Sequence, residues 1–154
     1  MHFKPFKFKL EKILQMKIEE EEEQKKIFAQ AQRKLIEEEK KLEDLIKTLE
    51  YKKEEYKLKL TQVTQPDFFL NFNKYLDKLK KDIELQKIVV EQAKLQVEIE
   101  KQKLQEKMNE RKSFEKLKEK EYQKYLQEQK IAESKFMDEL STIKFSRNKA
   151  NENS

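Results

Sequence analysis

The fold predicted for this chain depends on one short segment, Gln62-Val63-Thr64-Gln65-Pro66-Asp67-Phe68. It contains the only proline after Pro5, in a chain of 154 residues that has no glycine. Proline does not continue a helix that precedes it, but it is tolerated in the first turn of a helix that follows. Thr64 and Asp67 have the Thr-x-x-acid spacing of a helix N-terminus. We therefore predict that one helix ends near residue 63 and that another begins near residue 68.

Before this segment, apolar residues recur at alternating spacings of four and three, which is the repeat of a coiled coil. The apolar stripe is well formed from Phe28 to Leu49, where Glu38 is its one charged member. Nearer the N-terminus and at one later point it is interrupted by charged residues, namely Lys17, Glu21 and Glu38.

After the segment, the same spacing runs from Phe69 to Leu104, and it resumes from Tyr122 to Ile143. Between these two parts the register drifts, which indicates a local change of supercoil. Residues 146–154 lose the apolar repeat, so we predict a frayed tail there.

Two helices that each carry one stripe bury those stripes most simply by folding back on each other. The predicted fold is all-α, an antiparallel two-helix coiled-coil hairpin with unequal arms and a hinge near Pro66. The chain is predicted to be one domain over 1–154, with helix 1 at about 8–63, the hinge at about 64–67 and helix 2 at about 68–145. Folding about Pro66 sets Leu10 level with about residue 122. The later part of helix 2 then extends past its partner, as a surface for self-association or for docking another protein.

Composition excludes several kinds of site. Without glycine the chain has no phosphate-binding loop of the nucleotide-binding types. Without cysteine, and with one histidine at His2, it has no disulfide framework, zinc site or Cys/His nucleophile pair. We therefore expect no enzymatic activity, no metal and no cofactor.

Charge points to a solvated helical surface. Charged residues make up 44% of the chain, with a net charge of +5. Lysines are interleaved with glutamates and only three arginines are present, so we expect no nucleic acid partner. The acidic runs 19–23 and 37–39 are expected to lie on solvated faces, with ordinary pKa values. No apolar run suits a membrane span or a signal peptide, so a cytoplasmic protein is predicted.

Aromatic residues gather at two places. At the N-terminus, Phe3, Phe6 and Phe8 alternate with lysines, which fits either weak contact with an anionic membrane or packing of this segment against helix 2 or a partner. Beside the hinge, Phe69 and Phe72 belong to the apolar stripe and are expected in the interior. Tyr56 and Tyr75, in the same cluster, are candidates for exposed contact.

Five segments, in order, resemble the flagellar export protein FliJ family. They are Phe6-Lys7-Phe8-Lys9-Leu10-Glu11-Lys12-Ile13-Leu14; Leu42-Glu43-Asp44-Leu45 followed by Glu55-Tyr56; Asn71-Phe72-Asn73-Lys74-Tyr75-Leu76-Asp77-Lys78-Leu79; Glu110-Arg111-Lys112-Ser113-Phe114-Glu115-Lys116-Leu117-Lys118-Glu119-Lys120; and Met137-Asp138-Glu139. Together they span nearly the whole chain.

The resemblance implies a non-enzymatic component of the flagellar type III export apparatus, similar to the central stalk of a rotary ATPase. Its implied partners are a hexameric export ATPase (FliI-like), a membrane export gate protein (FlhA-like) and export chaperones. The implied location is cytoplasmic and peripheral to the inner face of the cell membrane at the flagellar base. By resemblance, the residues that face the gate are Leu45, Leu49, Tyr56, Tyr75, Leu79 and Gln86. By analogy, the residues that face the ATPase ring are Phe8, Leu10, Leu14, Phe136, Leu140 and Ile143.

Two other functions fit the same residues. One is a generic coiled-coil adaptor or structural protein that acts without an ATPase. The other is the equivalent stalk of a virulence type III secretion system.

Overall fold

The computed structural model describes residues 4–62 and 65–152, and within these ranges it contains two helices and no strand. Helix α1 spans Glu11–Leu60 and helix α2 spans Pro66–Glu152. Gln24 of α1 is hydrogen-bonded to Glu100 of α2, and Glu38, further along α1, is hydrogen-bonded to Gln86, which comes earlier in α2. The helices are therefore antiparallel. The predicted all-α hairpin with unequal arms is confirmed.

The turn between the helices is somewhat longer than expected. Helix α1 ends at Leu60, and its last turn is closed by the amides of Thr61 and Gln62, which donate to the carbonyls of Leu58 and Lys59 at 3.2 and 3.1 Å. Helix α2 begins at Pro66, whose missing amide hydrogen is not needed in a first turn. The predicted cap at Thr64 lies outside the described residues.

Helix α2 also extends beyond its expected end, since it continues through Glu152 where a frayed tail was predicted from residue 146. No glycine or proline occurs in this part of the sequence to end the helix. Lys149 lies in the last turn, where a cation interacts favourably with the helix dipole. The apolar repeat is absent from this part of α2, and the backbone stays helical without it.

The fold-back is centred nearer residue 63 than Pro66, because α1 ends at Leu60 and α2 begins at Pro66. The ring of Phe6 lies 5.2 Å from that of Tyr122, so the residue level with Tyr122 is nearer the N-terminus than the predicted Leu10. One turn further along, the Lys118 ammonium lies 2.8 Å from a carboxylate oxygen of Glu11.

The described residues form two compact units. The hinge unit is Glu20–Lys107, and the terminal unit combines Met1–Glu19 with Met108–Ser154. The interior of the hinge unit is built mainly from α2, with Leu76, Leu79, Ile83, Val90 and Ala93 buried. In the terminal unit Leu14 is buried. A two-helix interface of this kind is thin, so each buried side chain is a large share of the hydrophobic stabilisation.

Candidate protein-interaction surfaces

An aromatic cluster joins the two helices beside the turn. The ring of Tyr56, near the end of α1, lies 5.7 Å from that of Phe69 and 5.3 Å from that of Phe72 in the first turns of α2. Phe72 in turn lies 6.4 Å from Tyr75. Edge-on and tilted contacts at these distances are favourable. All but Tyr75 are half-buried, so the cluster holds the helix ends together and presents one tyrosine to solvent.

Tyr75 is the exposed edge of this cluster, with 43% of its surface accessible. The Lys52 ammonium of α1 lies 5.9 Å from the Tyr75 ring and 5.8 Å from the Tyr51 ring. Glu55 accepts a hydrogen bond from the same ammonium at 3.1 Å, which raises the pKa of Lys52. A tyrosine and a cation that are held by their neighbours at the surface can contribute contact area at low entropic cost.

The six residues predicted to face the gate all lie in the hinge unit, but in different environments. Leu45, Leu49 and Tyr56 are half-buried, and Tyr75 is exposed. Gln86 is half-buried, and its amide is hydrogen-bonded to Glu38. Leu79 is only 6% exposed and packs in the interior. Direct contact with a partner remains a prediction for all six.

The expectation that the acidic runs are wholly solvated is wrong at Glu21 and Glu38, which are 3% and 4% exposed. Both lie at positions of the apolar stripe of α1, so the coiled-coil register turns them toward α2. The Gln86 amide donates to the Glu38 carboxylate at 2.6 Å, and the Lys34 ammonium lies 3.1 Å away. These bonds, with that of Gln86 first, lower the pKa of Glu38 to about 2.

A second buried polar pair was not identified from the sequence. The Gln24 amide of α1 donates to the carboxylate of Glu100 on α2 at 2.5 Å, and both residues are buried. This bond is the main cause of a lowered pKa at Glu100. The sequence did contain a signal for this pair, because each helix has a glutamine and a glutamate at positions of its apolar stripe.

In the terminal unit the N-terminal segment packs on α2. The Phe6 ring packs against both Tyr122 and Tyr125, with ring centroids 5.2 and 5.5 Å away. The Tyr125 hydroxyl donates to the Lys4 carbonyl at 2.6 Å. Of the two alternatives for this segment, the contacts of Phe6 favour packing against α2. Phe3 lies outside the described residues.

The residues predicted to face the ATPase ring all lie in the terminal unit. Leu14 is 3% exposed, and Phe8 and Leu10 are half-buried. On α2, every residue from Lys130 to Glu152 is exposed. Phe136, Leu140 and Ile143 are spaced four and three apart, so they share one face of this exposed helix. An exposed apolar face of this kind suits a protein partner.

A further exposed apolar stripe lies on α2 in the hinge unit and was also missed. It consists of side chains that are 46–64% exposed, namely Leu85, Ile88, Leu95 and Ile99. Its signal in the sequence is a second heptad spacing, displaced from that of the buried stripe.

Neither a membrane span nor a metal site is found in the parts of the chain that the structure describes. Over 4–62 and 65–152, no helix is both long and apolar enough to cross a bilayer. In the same ranges, no group of three or more His, Asp or Glu side chains is placed to hold a metal ion.

Comparison with known proteins gives one finding. A family model described as Flagellar FliJ protein matches residues 6–150, nearly the whole chain. No curated protein and no solved structure matches.

Proposed function

The chain belongs to the flagellar FliJ family, and on that premise we propose that it is a non-enzymatic, central-stalk-like component of the flagellar type III export apparatus. The family is a structural and export component. The observation that carries the finer proposal is the exposed helix 130–152 with its apolar face, at the end of a hairpin from a stalk-like family. We propose that this end engages the hexameric export ATPase and promotes its ring assembly and turnover.

The argument for this end rests on exposure. Phe136, Leu140 and Ile143 are 38%, 39% and 49% exposed on one face. Burying such side chains in a partner removes apolar area from water, which is the main favourable contribution to association. Leu14 is already buried, and we assign it to supporting the fold of the terminal unit.

The test measures ATP turnover and ring formation by the purified export ATPase with and without the full chain. We expect both to rise when the chain is added. Phe136→Asp with Leu140→Asp should abolish the rise, because charges replace the apolar face. Phe145→Asp is the matched control, since Phe145 is 68% exposed and lies on the opposite side of the same helix. Equal stimulation by the chain and by the double variant would contradict the proposal.

For the hinge unit, we propose contact with the cytoplasmic part of the export gate through the aromatic cluster. Support comes from Tyr75, which is exposed, lies beside the Lys52 ammonium and rests on Phe72. Large side chains held by their neighbours lose little entropy on binding.

Gate binding can be tested with Tyr75→Ala in the full chain, by calorimetry against the cytoplasmic part of the gate protein. We expect a loss of affinity of roughly tenfold, as for one interface tyrosine. Tyr51→Ala is the control, because Tyr51 is 70% exposed and approaches the same ammonium from α1. Unchanged affinity for Tyr75→Ala would remove this assignment, while the ATPase result would stand independently.

Handling of export chaperones and a peripheral position at the flagellar base are proposed from the family alone. The position is tested by measuring whether the chain co-purifies with membranes of flagellated cells. We expect this association to be lost when the gate protein is deleted.

A self-associating coiled-coil adaptor is the second candidate function. The observation that favours it is the stripe Leu85, Ile88, Leu95 and Ile99, which is apolar and exposed. Sedimentation equilibrium separates the two functions, because an adaptor forms concentration-dependent oligomers and a stalk remains a monomer.

A further inference from the structure

Two hydrogen-bonded pairs with the same geometry cross the interface of the hinge unit. The Gln24 amide nitrogen donates to both the carbonyl and the carboxylate oxygen of Glu100, at 3.1 and 2.5 Å. The Gln86 amide nitrogen donates to both the carbonyl and the carboxylate oxygen of Glu38, at 2.9 and 2.6 Å. We call these two pairs the Gln–Glu clamps. In each, one amide binds the backbone and the side chain of a single residue on the other helix.

The clamps are related by an approximate twofold axis. Glutamine precedes glutamate by 14 residues in both helices, and adding 62 to a number in α1 gives its equivalent in α2. The neighbouring ion pairs obey the same relation, since Lys41 lies 3.3 Å from Glu38 and Lys103 lies 3.5 Å from Glu100. Eight of the 21 residues of 22–42 are identical to their equivalents in 84–104.

The axis passes between two alanines, one on each helix. Ala31 is midway between the two clamp residues of α1, and Ala93 is midway between those of α2, so the register places these alanines opposite each other. Ala93 is buried and Ala31 is half-buried. Small residues at the centre allow the two helices to approach closely, with one clamp on each side.

The apolar stripe does not by itself specify this alignment. Its spacing repeats every seven residues. If α1 slides along α2 by one heptad, about 10 Å, stripe residues of one helix again face stripe residues of the other. Sliding one way sets Gln24 opposite Ala93 and Glu38 opposite Leu79. Sliding the other way sets Gln86 opposite Leu45. Each slip leaves the buried Gln24 amide and the half-buried Gln86 amide without an acceptor on the other helix, which is unfavourable. The carboxylates of Glu38 and Glu100 lose these amide donors and keep the lysines of their own helices.

We propose that the two Gln–Glu clamps form a register lock, which holds α1 and α2 of the hinge unit in one alignment and excludes heptad sliding. Buried polar pairs frequently add less stability than apolar residues of similar volume, but they specify register. The lock makes 20–107 a unit that transmits displacement without internal sliding. This inference does not depend on the proposed function.

Disulfide trapping tests the lock directly, because the chain has no native cysteine. Ala31→Cys with Ala93→Cys reports the observed register. Two further pairs report a slip of one heptad in either direction, namely Phe28→Cys with Val90→Cys and Leu35→Cys with Val97→Cys. Each double-cysteine chain is equilibrated in a glutathione buffer, and the disulfide fraction is read by peptide mass spectrometry.

In the otherwise natural chain we expect the pair at 31 and 93 to form, with both slip pairs disfavoured by roughly tenfold or more. The four clamp residues are then replaced together by leucine. The slip pairs should rise by roughly tenfold, while the helical signal and thermal midpoint are kept or increased. This unlocked variant is Gln24→Leu, Glu38→Leu, Gln86→Leu and Glu100→Leu.

A matched control replaces two exposed glutamines and two exposed glutamates of the same segments, and it should form only the disulfide at 31 and 93. Its substitutions are Gln30→Leu, Glu37→Leu, Gln92→Leu and Glu98→Leu.

If the unlocked variant loses its helical signal, the one-clamp variant Gln24→Leu with Glu100→Leu decides the question. In that variant, a rise of the slip pairs by roughly threefold supports the lock, and no rise overturns it. Slip disulfides in the natural background, or none in a folded unlocked variant, also overturn it.

Discussion

Leu79 tests whether a predicted gate contact is in fact an interior residue of the hinge unit. Its side chain is 6% exposed, whereas Leu85, less than two turns further along the same helix, is 62% exposed. Leu79→Ala and Leu85→Ala remove the same atoms from these two environments. The difference between their effects on the free energy of unfolding therefore measures burial.

The expected magnitudes follow from the exposed fractions. Replacing a buried leucine with alanine costs about 2–5 kcal/mol, and the interface of two helices can relax toward solvent, so we expect the lower end, about 2–3 kcal/mol, for Leu79→Ala. Full burial of a leucine side chain stabilises by about 1.5–3 kcal/mol. With well under half of its surface buried, Leu85→Ala should cost less than about 1 kcal/mol.

The assay is urea unfolding of the full chain followed by circular dichroism at 222 nm, with the transition midpoint and slope fitted for each variant. Gate affinity is measured in parallel at a urea-free condition where both variants are fully helical. A cost below about 0.5 kcal/mol for Leu79→Ala, or equal costs for both variants, would refute the interior assignment. Reduced gate affinity of folded Leu79→Ala would show that the residue also acts in binding.

Two other predictions follow from polar contacts. Because the pKa of Glu38 is lowered to about 2, its contribution to stability is present above the ordinary value of 4.5 and is lost as the pH falls toward 2. The difference in thermal midpoint between the natural chain and Glu38→Gln should thus be largest at pH 7 and shrink toward pH 2. A difference that stays constant with pH would contradict this. Tyr125→Phe removes the hydroxyl that donates to the Lys4 carbonyl, so amides of the N-terminal segment should exchange roughly threefold faster, with total helicity unchanged. Equal exchange would show that ring packing alone holds the segment.

The two-helix architecture was predictable because local signals agree with one another. The coiled-coil spacing on each side of Pro66, and the absence of glycine, favour long helices whatever their partners are. The exposed apolar face at Phe136, Leu140 and Ile143 was also predictable, since unequal helix lengths leave one end of α2 without a counterpart. The end of α2 was not, because a helix persists without an apolar stripe when nothing breaks it.

The interior of the hinge unit required the tertiary structure. From the sequence, Glu21 and Glu38 interrupt an apolar stripe, and Gln86 is a candidate for an outside contact. Their burial depends on the rotation and alignment of one helix against the other, which heptad spacing leaves open by multiples of seven residues.

Helix content and the approximate position of the hinge are therefore properties that the amino-acid order specifies locally, through backbone preferences and the spacing of apolar side chains. The pairing of Gln24 with Glu100 and of Gln86 with Glu38 is different in kind, because it joins residues 76 and 48 positions apart. Only when the two helices are aligned do these amides and carboxylates meet away from water, and the requirement that buried polar groups be paired then selects that one alignment.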